Sequence, residues 1–132
     1  MKSCILKLQE EILKILDNDV EIKRVVNGVY DYVDKNAKLP YIIIGDCETS
    51  DLSTEGNDGE EVLQDIEIYS RQRGSEECKQ ILGLVNKIIF SDLKKIDGFD
   101  LNTIKRETSE VFDIEGNLYY GLLQIKLKIG EI

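Results

Sequence analysis

Apolar and polar positions change rhythm several times along this chain, and each rhythm predicts an element. In residues 3–17, Leu8, Ile12, Ile15 and Leu16 recur at helical spacing, with Ile5 one turn earlier. Ser3 serves as the N-cap and Asp17-Asn18-Asp19 ends the helix. Asn27-Gly28 is a turn signal, and Val29-Tyr30 begins a short strand. The loop Asp34–Lys38 leads to Leu39-Pro40-Tyr41-Ile42-Ile43-Ile44-Gly45, which holds the only proline. Proline has no N–H to give a ladder, so it belongs at a strand start or an edge. The aromatic and β-branched residues after it read as a strand buried on both faces, running to about Glu48.

Residues 49–59 hold Ser, Thr, Asp, Asn and two glycines, the composition of a long polar loop. Residues 60–70 form a second long strand. Val62, Gln64, Ile66 and Ile68 share one face; Leu63, Asp65, Glu67 and Tyr69 share the other. Ser75 caps a second helix, with Glu76 and Glu77 in its first turn. Its buried stripe is Cys78, Ile81, Leu82, Val85, Ile88 and Ile89. Asp97-Gly98 is a turn, and residues 101–112 make a third long strand carrying Leu101, Ile104, Val111 and Phe112. Glu115-Gly116-Asn117 turns the chain into a last strand, 118–129. There Leu123, Ile125, Leu127 and Ile129 alternate with Leu122, Gln124, Lys126 and Lys128. This clean period of two marks an antiparallel sheet covered on one face.

The order is helix, short strand, two strands, helix, two strands. It predicts one α+β domain over residues 1–132, in two layers. A mostly antiparallel sheet of about four strands carries two helices on one face. Gly28, Gly45 and Gly121 read as turn or bulge positions.

Composition narrows the function classes. At 132 residues and 42% hydrophobic, the chain can bury a real core, and with no tryptophan that core is aliphatic. The net charge of −9 argues against a general nucleic-acid or anionic-membrane surface. No apolar run reaches the ~20 residues of a membrane span. Lys7, Glu10, Glu11 and Lys14 interrupt any signal-peptide h-region, so a cytosolic protein is expected where it is made. Cys4, Cys47 and Cys78 are far apart and read as small apolar filler in a reducing compartment. Histidine is absent, which removes the commonest general base and zinc ligand.

The remaining chemistry is sparse. Between Leu39 and Ser70 stand nine acidic residues and no Lys or Arg. Asp51-x-Ser53-x-Glu55-Gly56 resembles the start of a calcium loop. Its twelfth position is Val62 rather than a bidentate Glu, and its flanks read as strands, so no metal requirement is expected. Asp65 and Glu67 share a strand face, but nothing in the sequence marks a pocket around them. Neither a phosphate-cradling glycine loop nor a nucleophile signature is present. No catalytic, cofactor-binding or metal-ligating residue is assigned, and no enzyme activity is expected. Arg71-Gln-Arg-Gly-Ser75 ahead of a helix allows weak anion binding. That supports the alternative of a cytosolic ligand-binding or regulatory domain.

Taken in order, several landmarks carry a resemblance. They are the N-terminal helix, Asn27-Gly28-Val29-Tyr30, Leu39-Pro40-Tyr41-Ile42-Ile43-Ile44, and Leu63-Gln64-Asp65-Ile66-Glu67-Ile68-Tyr69-Ser70. Ser75-Glu76-Glu77-Cys78 follows, then Tyr119-Tyr120-Gly121 before Ile125-Lys126-Leu127. This set resembles the tail completion, or tail terminator, proteins of long-tailed phages and prophages, also called head–tail joining or minor tail proteins. Tyr30-Asp31-Tyr32-Val33 and the loop after it depart from the pattern, since many relatives have a second proline there. The resemblance implies a homo-oligomer, commonly a hexameric ring in the assembled tail, and leaves open whether the free subunit is a monomer. Such a ring caps the tail tube protein, ends tube polymerisation and presents a surface to the head connector or stopper protein. DNA is then only passing cargo, with no specific binding, no membrane and no cofactor. The location is the virion tail, after assembly in the host bacterial cytoplasm. The acidic 49–59 loop is expected to be mobile in the free protein and to act in assembly.

Overall fold

The computed structural model describes residues 1–72 and 74–132. The helices are α1 (Ile5–Asp17), α2 (Val20–Val25) and α3 (Glu76–Asp92). The strands are β1 (Val29–Tyr30), β2 (Tyr41–Asp51), β3 (Gly59–Arg71), β4 (Phe99–Glu115) and β5 (Leu118–Glu131). They form one five-stranded sheet in the order β1-β2-β3-β5-β4. β1 runs parallel to β2; every other neighbouring pair is antiparallel. The α+β class holds, with five strands rather than about four and three helices rather than two.

The extra helix is α2. Asp19 caps it, its carboxylate accepting the Ile22 N–H at 3.0 Å, and Ile22 alone of its residues is buried. Six residues are too few to show a helical period. Asn27 does not make a hairpin turn. Its backbone N–H donates to the Pro40 carbonyl at 2.8 Å and its side-chain amide to Leu39 at 2.9 Å, which holds β1 beside the entry to β2. The Leu39–Pro40 peptide is cis. Ser3 stands one position before the cap residue of α1, which is Cys4. Its hydroxyl accepts the Ile5 N–H at 3.4 Å.

The core lies between the helices and one face of the sheet. Leu8, Ile12 and Leu16 of α1 are fully buried, and Ile5 and Ile15 are half-buried at the stripe's edges. The α3 stripe is buried at every expected position. The sheet contributes Ile42, Ile44, Val62, Ile66, Ile68, Leu123, Ile125 and Leu127. Gly121 sits where α3 presses on β5: a Cβ there would lie 3.0 Å from Cys78 Sγ. Ser70, buried on this face, donates its hydroxyl to Glu77 and ties the first turn of α3 to β3.

Three expectations change. The proline strand is buried on one face only: Ile42 and Ile44 are buried, while Tyr41 and Ile43 are half-buried on the side no helix covers. β2 and β3 extend further than expected, so the polar loop shrinks to residues 52–58. A Thr54–Asn57 bridge closes that loop, and the amino-terminal ammonium holds Asp58 at 3.1 Å. β4 is longer than 101–112 and breaks its alternation at three irregularities, between Leu101 and Thr103, Arg106 and Thr108, and Asp113 and Glu115. Leu101, Ile104 and Val111 therefore pack toward the helices, whereas Phe112 is 44% exposed on the other side. The hairpin at Gly116-Asn117 has positive φ at both residues, the geometry that joins two twisted strands tightly.

Candidate interaction surface

The face of the sheet away from the helices is where the remaining chemistry collects. Strand pairing carries Leu63, Asp65, Glu67 and Tyr69 of β3 onto it, as the period of two predicts. An aromatic row crosses it from edge to edge, one ring from each strand: Tyr30, Tyr41, Tyr69, Tyr120 and Phe112. Successive ring centroids are 5.9, 5.7, 5.2 and 5.1 Å apart. These are the separations at which edge-on and tilted aromatic pairs attract. The register explains the row, because Tyr41 lies opposite Tyr69, Tyr69 opposite Tyr120, and Tyr120 opposite Phe112.

Glu67 lies beneath the row. Its carboxylate accepts the Tyr69 hydroxyl at 3.2 Å. Burial pushes the Tyr69 phenol up to about 12, helped by the negative charge of Glu67. Burial and the same carboxylate raise Tyr120 further. Gly45 makes room for this group, since a Cβ there would run into the Glu67 carboxylate. One row on, Asp65 accepts the Gln124 amide at 2.9 Å. Among the described residues no cation pairs with Glu67 or Asp65. Lys126, lower on the face, is held by Glu61 at 3.8 Å and Glu107 at 3.6 Å. The aromatic end of the face is thus acidic without a cation partner, whereas the other end holds a paired lysine.

Behind this face, Gln64 supports the bend of β2. The register slips between Ile44 and Cys47, and the buried Gln64 amide donates to the carbonyls of Gly45 at 3.2 Å and Asp46 at 3.3 Å. Gly45 is a bulge position, as read from the sequence. All three cysteines are free thiols. Burial pushes the Cys47 and Cys78 thiols up to about 11 and raises Cys4, so all three stay protonated, as apolar filler does. The calcium-like segment has strands on both sides, and Asp51 uses its carboxylate to accept the Ser53 N–H at 3.0 Å. Of the candidate anion loop, Arg73 lies outside the described residues, and Ser75 makes no side-chain cap bond. A groove of about 550 Å³ between α2 and α3 is lined by Glu21, Arg24, Ile81, Leu84 and Lys87. No helix among the described residues is long and apolar enough to cross a membrane.

Sequence reasoning placed Asp65, Glu67 and Tyr69 together but missed the aromatic row. A signal existed: each strand carries one of these aromatics within three residues of an end, and strand pairing brings those ends into line.

No curated protein matches the chain. Among solved structures, a chain of the virion of a native gene transfer agent particle superposes with a TM-score of 0.89 at 15% identity. The match covers 98% of this chain and 99% of that one, so the two share a fold. The family model described as Tail completion protein gp17 matches residues 10–130. Its span runs from the middle of α1 to the end of β5 and takes in every strand. The chain belongs to this tail completion family, whose members are structural proteins of phage tails.

Proposed function

We propose that copies of this chain close into a ring, a hexamer, that caps the tail tube, ends its polymerisation and joins the tail to the head connector. The family match over residues 10–130 carries this reading. The fold supports it, because a layered subunit with one sheet face free of helices has a face to give to an assembly. In the ring, the acidic loop with Glu55 and Asp58 either lines the channel, where it repels passing DNA without binding it, or meets basic residues of the tail tube. The protein assembles in the host cytoplasm, acts in the virion tail without catalysis or cofactor, and contacts the tube protein on one side and the connector on the other.

The test is genetic. Removing the gene from the phage or prophage that carries it should leave full heads unjoined to tails, with tubes of irregular length. Supplying the protein in trans should restore joined tails of uniform length. Normal joined tails in its absence would refute the proposal.

A further inference from the structure

Two surfaces on opposite layers of the subunit complement each other. The first is the aromatic end of the open sheet face, where Glu67 and Asp65 carry charge without a cation partner among the described residues. The second is the outer side of α2. Ile22 points α2 inward, and the helix packs on α1 and α3, so it lies in the layer behind the sheet. Val20 and Arg24, one helical turn apart, face away from Ile22. Val20 is 62% exposed, and Arg24 is exposed with no ion pair among the described residues. Lys23 beside it adds a second exposed cation.

We propose that α2 of one copy docks on the open sheet face of the next, with the Arg24 guanidinium seated on Glu67 between the tyrosine rings and Val20 covering the apolar rim. This inference rests on the ring reading above and names its contact. The chemistry suits arginine in particular: a planar guanidinium forks onto a carboxylate and stacks on aromatic faces, which an ammonium does less well. The occupant is a second copy because the chain itself supplies the cation. With a net charge of −9, copies repel one another on average, so association needs a local match of opposite charge. The two patches lie on different layers and differ in character, so the contact is head-to-tail and builds a ring when the rotation closes. Pairing of strand edges is the weaker route. The irregularities in β4 interrupt the row of outward N–H and C=O groups that a second strand would need.

The experiment is sedimentation of the purified full chain at low salt, up to about 1 mM, with thermal melts to confirm folding. Arg24→Glu and Glu67→Lys should each weaken self-association at least about tenfold, and the double variant should restore it to within about threefold of the parent. Where Glu67→Lys does not melt cooperatively, Glu67→Gln with Arg24→Gln gives the same comparison: each single change weakens association, and the pair weakens it no more than one alone. A parent that stays monomeric throughout overturns the proposal, as do single changes without effect. Loss on changing Glu67 but not Arg24 also overturns it, since the face then takes a different protein. None of these outcomes touches the ring reading, which the genetic test above decides independently.

Discussion

The Tyr69 hydroxyl donates to Glu67, whose charge also acts on Tyr120, and this juxtaposition has a measurable consequence. The Tyr69 phenol is pushed up to about 12 and Tyr120 is raised as well, because burial and the Glu67 charge both oppose a phenolate. In the unfolded chain both titrate near the ordinary ~10. Their contribution to stability is therefore complete below about pH 10 and is lost as pH rises through the folded values. Ultraviolet titration should show two of the six tyrosines ionising late, and Glu67→Gln should bring both down toward the rest. Unchanged titration in the variant would show that the carboxylate is not the cause. At this level the sequence was partly legible. Period two put Asp65, Glu67 and Tyr69 on one face, and it put Gln64 on the other. It could not show that Gly45 on a different strand leaves the space Glu67 fills, because that space exists only once β2 and β3 are in register.

Elements with a long unbroken rhythm were the readable ones. The α3 stripe and the β5 alternation came through complete, since each has a single buried side over many residues. β4 did not, because its irregularities shift the alternation three times. α2 did not, because its one buried side chain leaves no period to detect. β2 was read as buried on both sides because its apolar run is continuous. The structure sets Ile43 on the open face opposite Glu67, where an apolar residue serves a surface rather than the core. The β5 register yields a direct contrast. Leu127 is fully buried against the helices, so Leu127→Ala should cost about 2–5 kcal/mol from lost transfer and the cavity left behind. Lys126 faces the other way in long, solvent-accessible ion pairs, so Lys126→Ala should cost under about 1 kcal/mol. Denaturant titration of both variants checks this, and equal losses would mean the strand is turned over.

The subunit is a sheet with one dry face and one open face, and that asymmetry connects the fold to assembly. Helices α1 and α3 bury the first face, with α2 packed against them, while the second carries an aromatic row with acidic residues beneath it. The α+β plan was visible in the sequence, and the landmarks pointed to the tail completion family that the match over residues 10–130 shows. Nothing in a single chain's alternation reveals how two copies meet, since that depends on surfaces brought together from distant segments. In the proposed function the chain caps one end of the tail. Electron microscopy of joined tails carrying a gold-labelled copy of the protein tests it most directly. The account predicts label confined to the head-proximal end, around a closed ring on the tube. Label spread along the tube, or absent from that end, would contradict it.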